Sequence, residues 1–490
     1  MTDQQLIILA LCIPLIAAAL IAITHKNINP NINLREACTL LSSVCLILVV
    51  YSLLVRVLNG EQPQFHLLEF LPGLSIHFKI EPLGMLFACI ASFLWLINSI
   101  YSIGYMRSNN EKHQTRFYIY FAIAIASTIG IAFSANLITL FIFYEALTLS
   151  TYPLVTHKGS EDAKRAGRVY LGVLLFTSIC FFLPAIIWTN VLAGTTDFVD
   201  GGILNNDTGR GVILILLMLY AYGIGKAALM PMHRWLPAAM VAPTPVSALL
   251  HAVAVVKAGV FSIVKIITYI FSPALLSDVI EVNILLYLAG MTIIVASIVA
   301  LRADNLKRRL AYSTISQLSY VILATALLVP ISIMGAALHI LAHAFGKITL
   351  FFAAGSIYTA TKKTAVSELD GIGKAMPWTM TAFAIASLSM IGVPPTVGFL
   401  SKWYILQGAF EIESWFAISV IVISTLLNAG YFLPIIYAAF FKKPADGVLT
   451  YQEAPTAIVL ALTLTASITI LLFLFPAIPL QLLNMLAGNL

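Results

Sequence analysis

Six ionisable side chains sit where a chain of this composition has least reason to place them. Of 27 lysines and arginines, only five fall inside long apolar stretches, and all five are lysines: Lys226, Lys257, Lys265, Lys347 and Lys402. One carboxylate, Glu145, joins them. A charge at the centre of a bilayer costs roughly 2.5–3.5 kcal/mol even on lenient insertion scales, so such residues face a wet or paired interior and act there. Lysine withdrawn from water gives up its proton more readily than lysine at a surface, which suits it to carrying protons. The chemistry expected is movement of protons or cations along an internal polar axis.

Spacing sharpens this expectation. His339, His343 and Lys347 recur every four residues and therefore form one polar stripe on a helix. Neutral imidazole both donates and accepts, as a relay requires. His251 and Lys257 are six residues apart, on roughly opposed sides of a helix, so a water or a neighbouring helix must link them. An unpaired Glu145 would simply protonate, and Lys226 is the cation expected to pair with it as a switch; a static structural pair is the alternative. Lys265, two turns beyond Lys257, either takes part in transport or snorkels to the interface. Tyr312, Ser316, Gln317 and Tyr320 are expected to act as packing glue between helices.

The elements that position these groups follow from hydropathy. The chain has 490 residues, 60% of them hydrophobic and only 10% charged, with a mean hydropathy of +0.97. That composition excludes an ordinary soluble domain and specifies an all-α integral membrane protein. Fourteen transmembrane helices are expected, near 5–24, 35–57, 83–104, 116–133, 135–156, 169–194, 211–240, 244–271, 283–301, 309–329, 331–360, 376–410, 414–440 and 455–482. The first is expected to be a retained helix rather than a signal peptide, because no basic leader precedes it. The connection near 58–82 is expected to form a short external hairpin.

Helices seven and twelve are interrupted, by Pro231 and Pro237 in one and by Pro394-Pro395 in the other. The two lie five helices apart, an odd number, so helices four to eight and nine to thirteen are expected to form two inverted five-helix repeats. The domain plan is then helices one to three over 1–110, a first repeat over 111–271, a second over 272–440, and helix fourteen over 441–490. Nineteen basic residues fall in the odd-numbered connections, including Lys26, and three, Arg56, Lys79 and Arg210, in the even ones. By the positive-inside rule the odd connections are cytoplasmic and both termini external. The net charge of +6 reports topology and gives no reason to expect nucleic acid. Five cysteines without C-x-x-C spacing argue against a metal or disulfide framework.

These residues together with their surrounding motifs resemble a known family. Glu145, the Pro231-Met232-His233-Arg234-Trp235-Leu236-Pro237 and Ala242-Pro243-Thr244-Pro245-Val246-Ser247 segments, the run from Arg308 to Gln317, the His343 to Lys347 element and the Pro394-Pro395 to Lys402 stretch are similar to the antiporter-like proton-translocating subunits. Those occur in respiratory complex I, membrane-bound hydrogenases and multisubunit Mrp-type sodium/proton antiporters, and the resemblance spans about residues 84–440. It implies that Glu145 and Lys226 form a coupling pair, Lys257 the central carrier, His343 and Lys347 the connecting element, and Lys402 the exit. Lys402 departs from the M-type complex I subunit, which has glutamate there. The wording from Gly398 to Trp403 resembles the Mrp D subunit most, while the N-type complex I subunit also carries lysine at that point. The resemblance implies a transporter subunit rather than an enzyme in its own right, placed in the cell (inner) membrane, with other membrane subunits of a hetero-oligomeric antiporter as partners and a proton and a monovalent cation as cargo. The alternative is a proton-pumping subunit of a redox complex. No nicotinamide, flavin or iron-sulfur motif is present, so no cofactor is expected in this chain.

Overall fold

The computed structural model describes residues 1–24, 32–71, 74–279, 283–444 and 451–488. Lys26 lies outside them. The protein is a bundle of α1 (Asp3–Thr24), α2 (Ile32–Leu58), α3 (Pro82–Ser108), α4 (Gln114–Ala132), α5 (Leu137–Val155), α6 (Glu161–Ala193), α7 (Arg210–Gly223), α8 (Thr244–Phe271), α9 (Asn283–Arg302), α10 (Leu306–Ala326), α11 (Pro330–Thr361), α12 (Pro377–Ile391), α13 (Val397–Glu411), α14 (Trp415–Phe441), α15 (Thr456–Leu474) and α16 (Ala477–Gly488). Among the described residues, eleven of these are long and apolar enough to cross a membrane. The all-α membrane architecture read from the sequence is the one found.

The hairpin is also present: β1 (Gln64–Leu71) pairs antiparallel with β2 (Leu74–Lys79) between α2 and α3. Its His66 and His77 rings stack at 3.5 Å, and β2 is tied to the end of α4 by Lys79 N–H to the Phe133 carbonyl at 2.8 Å.

Burial sorts the helices into an inner and an outer set. The apolar windows of α8 and α11 are wholly enclosed by protein, whereas those of α2, α6 and α15 are only a third buried. A helix enclosed on all sides can carry polar groups on any face, provided neighbours meet them. Thus the two helices that carry His251, Lys257, Lys265, His339, His343 and Lys347 are those most sheltered from lipid. Helix α11 packs against α8, α10, α12, α13 and α15.

Both expected interruptions occur, but the first is not where proline alone would put it. Helix α7 already ends at Gly223, and Lys226 sits in a 3-10 turn over Gly225–Ala227, five residues before Pro231. The approach of α8 sets this geometry: a β-carbon on Gly259 would come within 2.3 Å of the Ala227 nitrogen, so only glycine lets the two backbones meet. Downstream, a short helical turn, Trp235–Ala238, running into a 3-10 turn, Ala239–Val241, is what remains of the second half. The other break follows Gly392, whose φ of 91° terminates α12, and helix resumes at Val397. The last expected helix is likewise two segments, α15 and α16, parted at Phe475-Pro476.

Candidate functional site

Lys226 is fully buried at the end of α7. Its ammonium donates to the Tyr144 carbonyl at 2.8 Å and the Thr148 hydroxyl at 2.6 Å, and it lies 3.1 Å from the centre of the Tyr144 ring. Tyr144 returns the contact by accepting from the Lys226 backbone N–H at 3.1 Å. The expected contact pair with Glu145 is not formed. Glu145 is close enough to act electrostatically on Lys226, yet neither of its carboxylate oxygens meets a hydrogen-bond donor among the described residues. The reason is helical geometry: Tyr144 and Thr148 are four apart and share the α5 face that Lys226 covers, and Glu145 is turned about 100° away from Tyr144.

In α8 the helix widens into a π turn over Leu249–Val253 and distorts at Ala254, with φ −116° and ψ −75°. Single π turns of this kind are frequent at functional sites. His251, within it, meets the Thr314 hydroxyl of α10 at 3.0 Å, and does not reach Lys257, as their spacing implied. Lys257 instead contacts the Nδ1 of His343 on α11 directly, with both side chains buried.

The three groups of the α11 stripe go separate ways. His343 turns to Lys257; His339 lies between the Ser401 hydroxyl of α13 at 2.9 Å and the Gln317 carboxamide oxygen of α10 at 3.0 Å; Lys347 donates to the Ser313 hydroxyl at 2.7 Å. The stripe is therefore a hub joining three helices rather than a chain of its own members in contact. Gln317, expected as packing glue, is part of it. Ser316 does act as glue, bonding Ser297 of α9 at 2.9 Å.

The carbonyls released where α12 ends are met by polar side chains, as a break at membrane depth requires. Met390 O accepts from the amides of Gln317 and Asn428, each at 3.4 Å, and Ile391 O accepts from the Lys402 ammonium at 2.9 Å. Lys402 also stands 3.4 Å from the Thr425 hydroxyl and 4.8 Å over the Tyr320 ring, beside a cavity of about 260 Å³.

Glu145 is only partly buried as a residue, although both its carboxylate oxygens are shielded, and it is not the one enclosed carboxylate. Glu81, at the start of α3, is 3% exposed and lies 3.0 Å from the ammonium of Lys265, which is 0% exposed and donates to the Ser134 carbonyl at 2.6 Å. Lys265 therefore does not snorkel. Glu36 is buried as well, held by Arg35 and Arg107. Sequence reading missed Glu81 because it borders Pro82 at the edge of an apolar run, where carboxylates are ordinarily solvated. It missed Ser313, Asn428 and Tyr431 because uncharged groups do not interrupt a hydropathy profile.

Residues 134–428 match the transmembrane family model described as NADH:quinone oxidoreductase/Mrp antiporter. The chain belongs to this family. Residues 73–118 match a second model, the N-terminal part of complex I chain 5. The chain is 33% identical over 402 residues to NADH-quinone oxidoreductase subunit N of Desulforudis audaxviator, covering 81% of this chain and 79% of the relative. It is 29% identical over 411 residues to the putative antiporter subunit mnhA2 of Staphylococcus haemolyticus, covering 79% of this chain and 50% of that one. The chain spans about half to two-thirds of the length of the chain-5-like and mnhA2 relatives. Two solved structures share the fold: an archaeal membrane-bound sulfane sulfur reductase (TM-score 0.86, 24% identity, 99% of this chain and 97% of that one) and the Mrp complex of a Dietzia species (TM-score 0.87, 20% identity, 100% and 97%). The protein is thus an antiporter-like membrane subunit, and the family match covers Glu145, Lys226, Lys257, His343, Lys347 and Lys402.

Proposed function

We propose that this chain is the D-type proton-translocating subunit of a multisubunit Mrp-like antiporter, exchanging protons for sodium or another monovalent cation. The observation that carries the reading is the buried contact of Lys257 with His343, a lysine and an imidazole meeting between the two most enclosed helices with no carboxylate at the contact. A permanent ion pair has no such composition. Ammonium and imidazole can share only one proton comfortably, so the contact favours handing the proton on. In this reading Lys226 holds a proton against the Tyr144 carbonyl and Thr148, Lys257 and His343 pass it between α8 and α11, and Lys347 and Lys402 deliver it to the far side. Glu145 acts on Lys226 through space, so its protonation state sets how tightly Lys226 keeps its proton.

The topology proposed with this function has both termini outside the cell membrane and helices four to eight and nine to thirteen as inverted repeats. Other membrane subunits complete the assembly, and the cation path is assigned to the complex as a whole. A second reading, a proton-pumping subunit driven by a redox partner, is favoured by the subunit N relative. Proton flux in vesicles holding the intact complex tests the axis itself. Lys257→Ala and His343→Ala are each expected to lower flux by tenfold or more with assembly unchanged, whichever partner drives it. Undiminished flux in both would remove Lys257 and His343 from the path.

A further inference from the structure

Helix α14 carries no charged residue, yet along its inner side Ser424, Asn428 and Tyr431 are all completely buried, at spacings of four and three that align them on one face. Thr425, beside Ser424, reaches Lys402. At the other end of this stripe the Tyr431 hydroxyl lies 2.8 Å from the Ser313 hydroxyl, which accepts from the Lys347 ammonium at 2.7 Å. Tyr431 also donates to the Asn428 carboxamide oxygen, and the Asn428 amide reaches the Met390 carbonyl at 3.4 Å. Lys347 makes no hydrogen bond to His343 or His339, whereas an unbroken series of contacts leads from it through two hydroxyls onto α14.

We infer that Ser313 and Tyr431 are proton-transfer residues, forming a hydroxyl wire along α14 that connects Lys347 to Lys402. The inference rests on the proposed function. The wire works by exchange. An N–H bond of protonated Lys347 breaks as an O–H bond forms on Ser313, and the proton Ser313 held passes to the Tyr431 oxygen. The Tyr431 proton passes in turn to a short file of water molecules, each accepting one proton and giving one on, the last of them to the neutral amine of Lys402. One ammonium is lost at Lys347 and one is gained at Lys402, with both hydroxyls and the waters restored.

Waters are required because a carboxamide does not release and regain protons readily, so Asn428 orients the wire instead of conducting. Tyr431 and Thr425 are six residues apart, a rise of about 9 Å along a helix, so more than one water spans the gap. The cavity of about 260 Å³ beside Gly392 has room for the last of them, with Lys402 and Thr425 as its polar partners. Histidine is bypassed: His339 meets Ser401 and Gln317, and its branch ends on the same Met390 carbonyl without touching Lys347.

Tyr431→Phe is a clean test, because Arg309 binds the backbone carbonyl of Tyr431, at 3.0 Å, and that bond survives the change. Cation-driven proton flux is measured in vesicles holding the intact complex, with Lys257→Ala alongside. The expected result is a loss of tenfold or more in maximal rate for Tyr431→Phe with the half-saturating sodium concentration and the melting temperature unchanged, since a merely structural role would move the latter two. Ser313→Ala cuts the same wire from its other side and decides the matter if Tyr431→Phe does not assemble. If Lys257→Ala loses flux while Tyr431→Phe and Ser313→Ala keep it within twofold, the wire is wrong and the central axis stands. If Lys257→Ala keeps flux too, both fall.

Discussion

At the scale of single residues, charge in an apolar run proved a sound guide to which side chains are enclosed, and a poor guide to what they touch. Lys226, Lys257, Lys347 and Lys402 are all buried, as their setting demands, but the partner chosen for Lys226 was a carboxylate one residue off its face. Residue type is legible from sequence; the azimuth at which two helices meet is not. The Glu81–Lys265 pair makes the same point, since the two residues are 184 positions apart and only packing of α3 against α8 unites them. Removing one member of a buried pair strands the other charge, at a cost of roughly 3–5 kcal/mol, whereas replacing both by apolar groups is close to neutral. Lys265→Met is therefore expected to lower the melting temperature of the purified protein sharply, and the double change Glu81→Leu with Lys265→Met to recover most of it. A double variant no more stable than the single one would contradict this.

Outside the membrane, the loop after α5 contains His157, whose pKa is lowered to about 4 by burial first and then by the Arg116 guanidinium. Its unfolded value is the ordinary 6.5, so the unfolded chain binds the proton more readily than the fold does. Stability from this site is complete above pH 6.5 and is lost as the pH falls from there toward about 4. Melting temperatures from pH 7 to pH 5 are expected to fall less steeply in His157→Gln than in the parent. Parallel curves would contradict the assignment.

At the scale of elements, fourteen apolar stretches located the helices to within a few residues, apart from the start of α6 and the interrupted spans, because 20-residue apolar runs have few alternatives in a bilayer. The breaks were legible as breaks but not in detail. Proline signalled both, yet the first helix already ends at Gly223, and the turn that follows, at Lys226 and Ala227, is packed tightly against Gly259 of α8. A methyl group at residue 259 has no space, so Gly259→Ala is expected to displace the Lys226 turn and lower both proton flux and melting temperature. Ser262→Ala, one turn along the same helix, removes only a hydroxyl bonded to its own helix and is expected to change neither. Equal behaviour of the two variants would show that the close approach is unimportant.

At the scale of the whole molecule, two helices enclosed by protein hold His251, Lys257, Lys265, His339, His343 and Lys347, helices only a third to a half buried lie outside them, and the break after α12 offers carbonyls to buried polar side chains. The prolines marked both breaks, and the family resemblance implied the relay; under the proposed function the driving force comes from other subunits of the complex. The most direct measurement is proton movement in vesicles containing the purified native complex, with a pH gradient imposed and sodium or another monovalent cation added in the absence of any electron donor. The expected result is prompt collapse of the gradient on adding the cation, abolished by Lys402→Ala. A gradient that ignores the cation and moves only when reductant and acceptor are supplied would contradict the antiporter assignment.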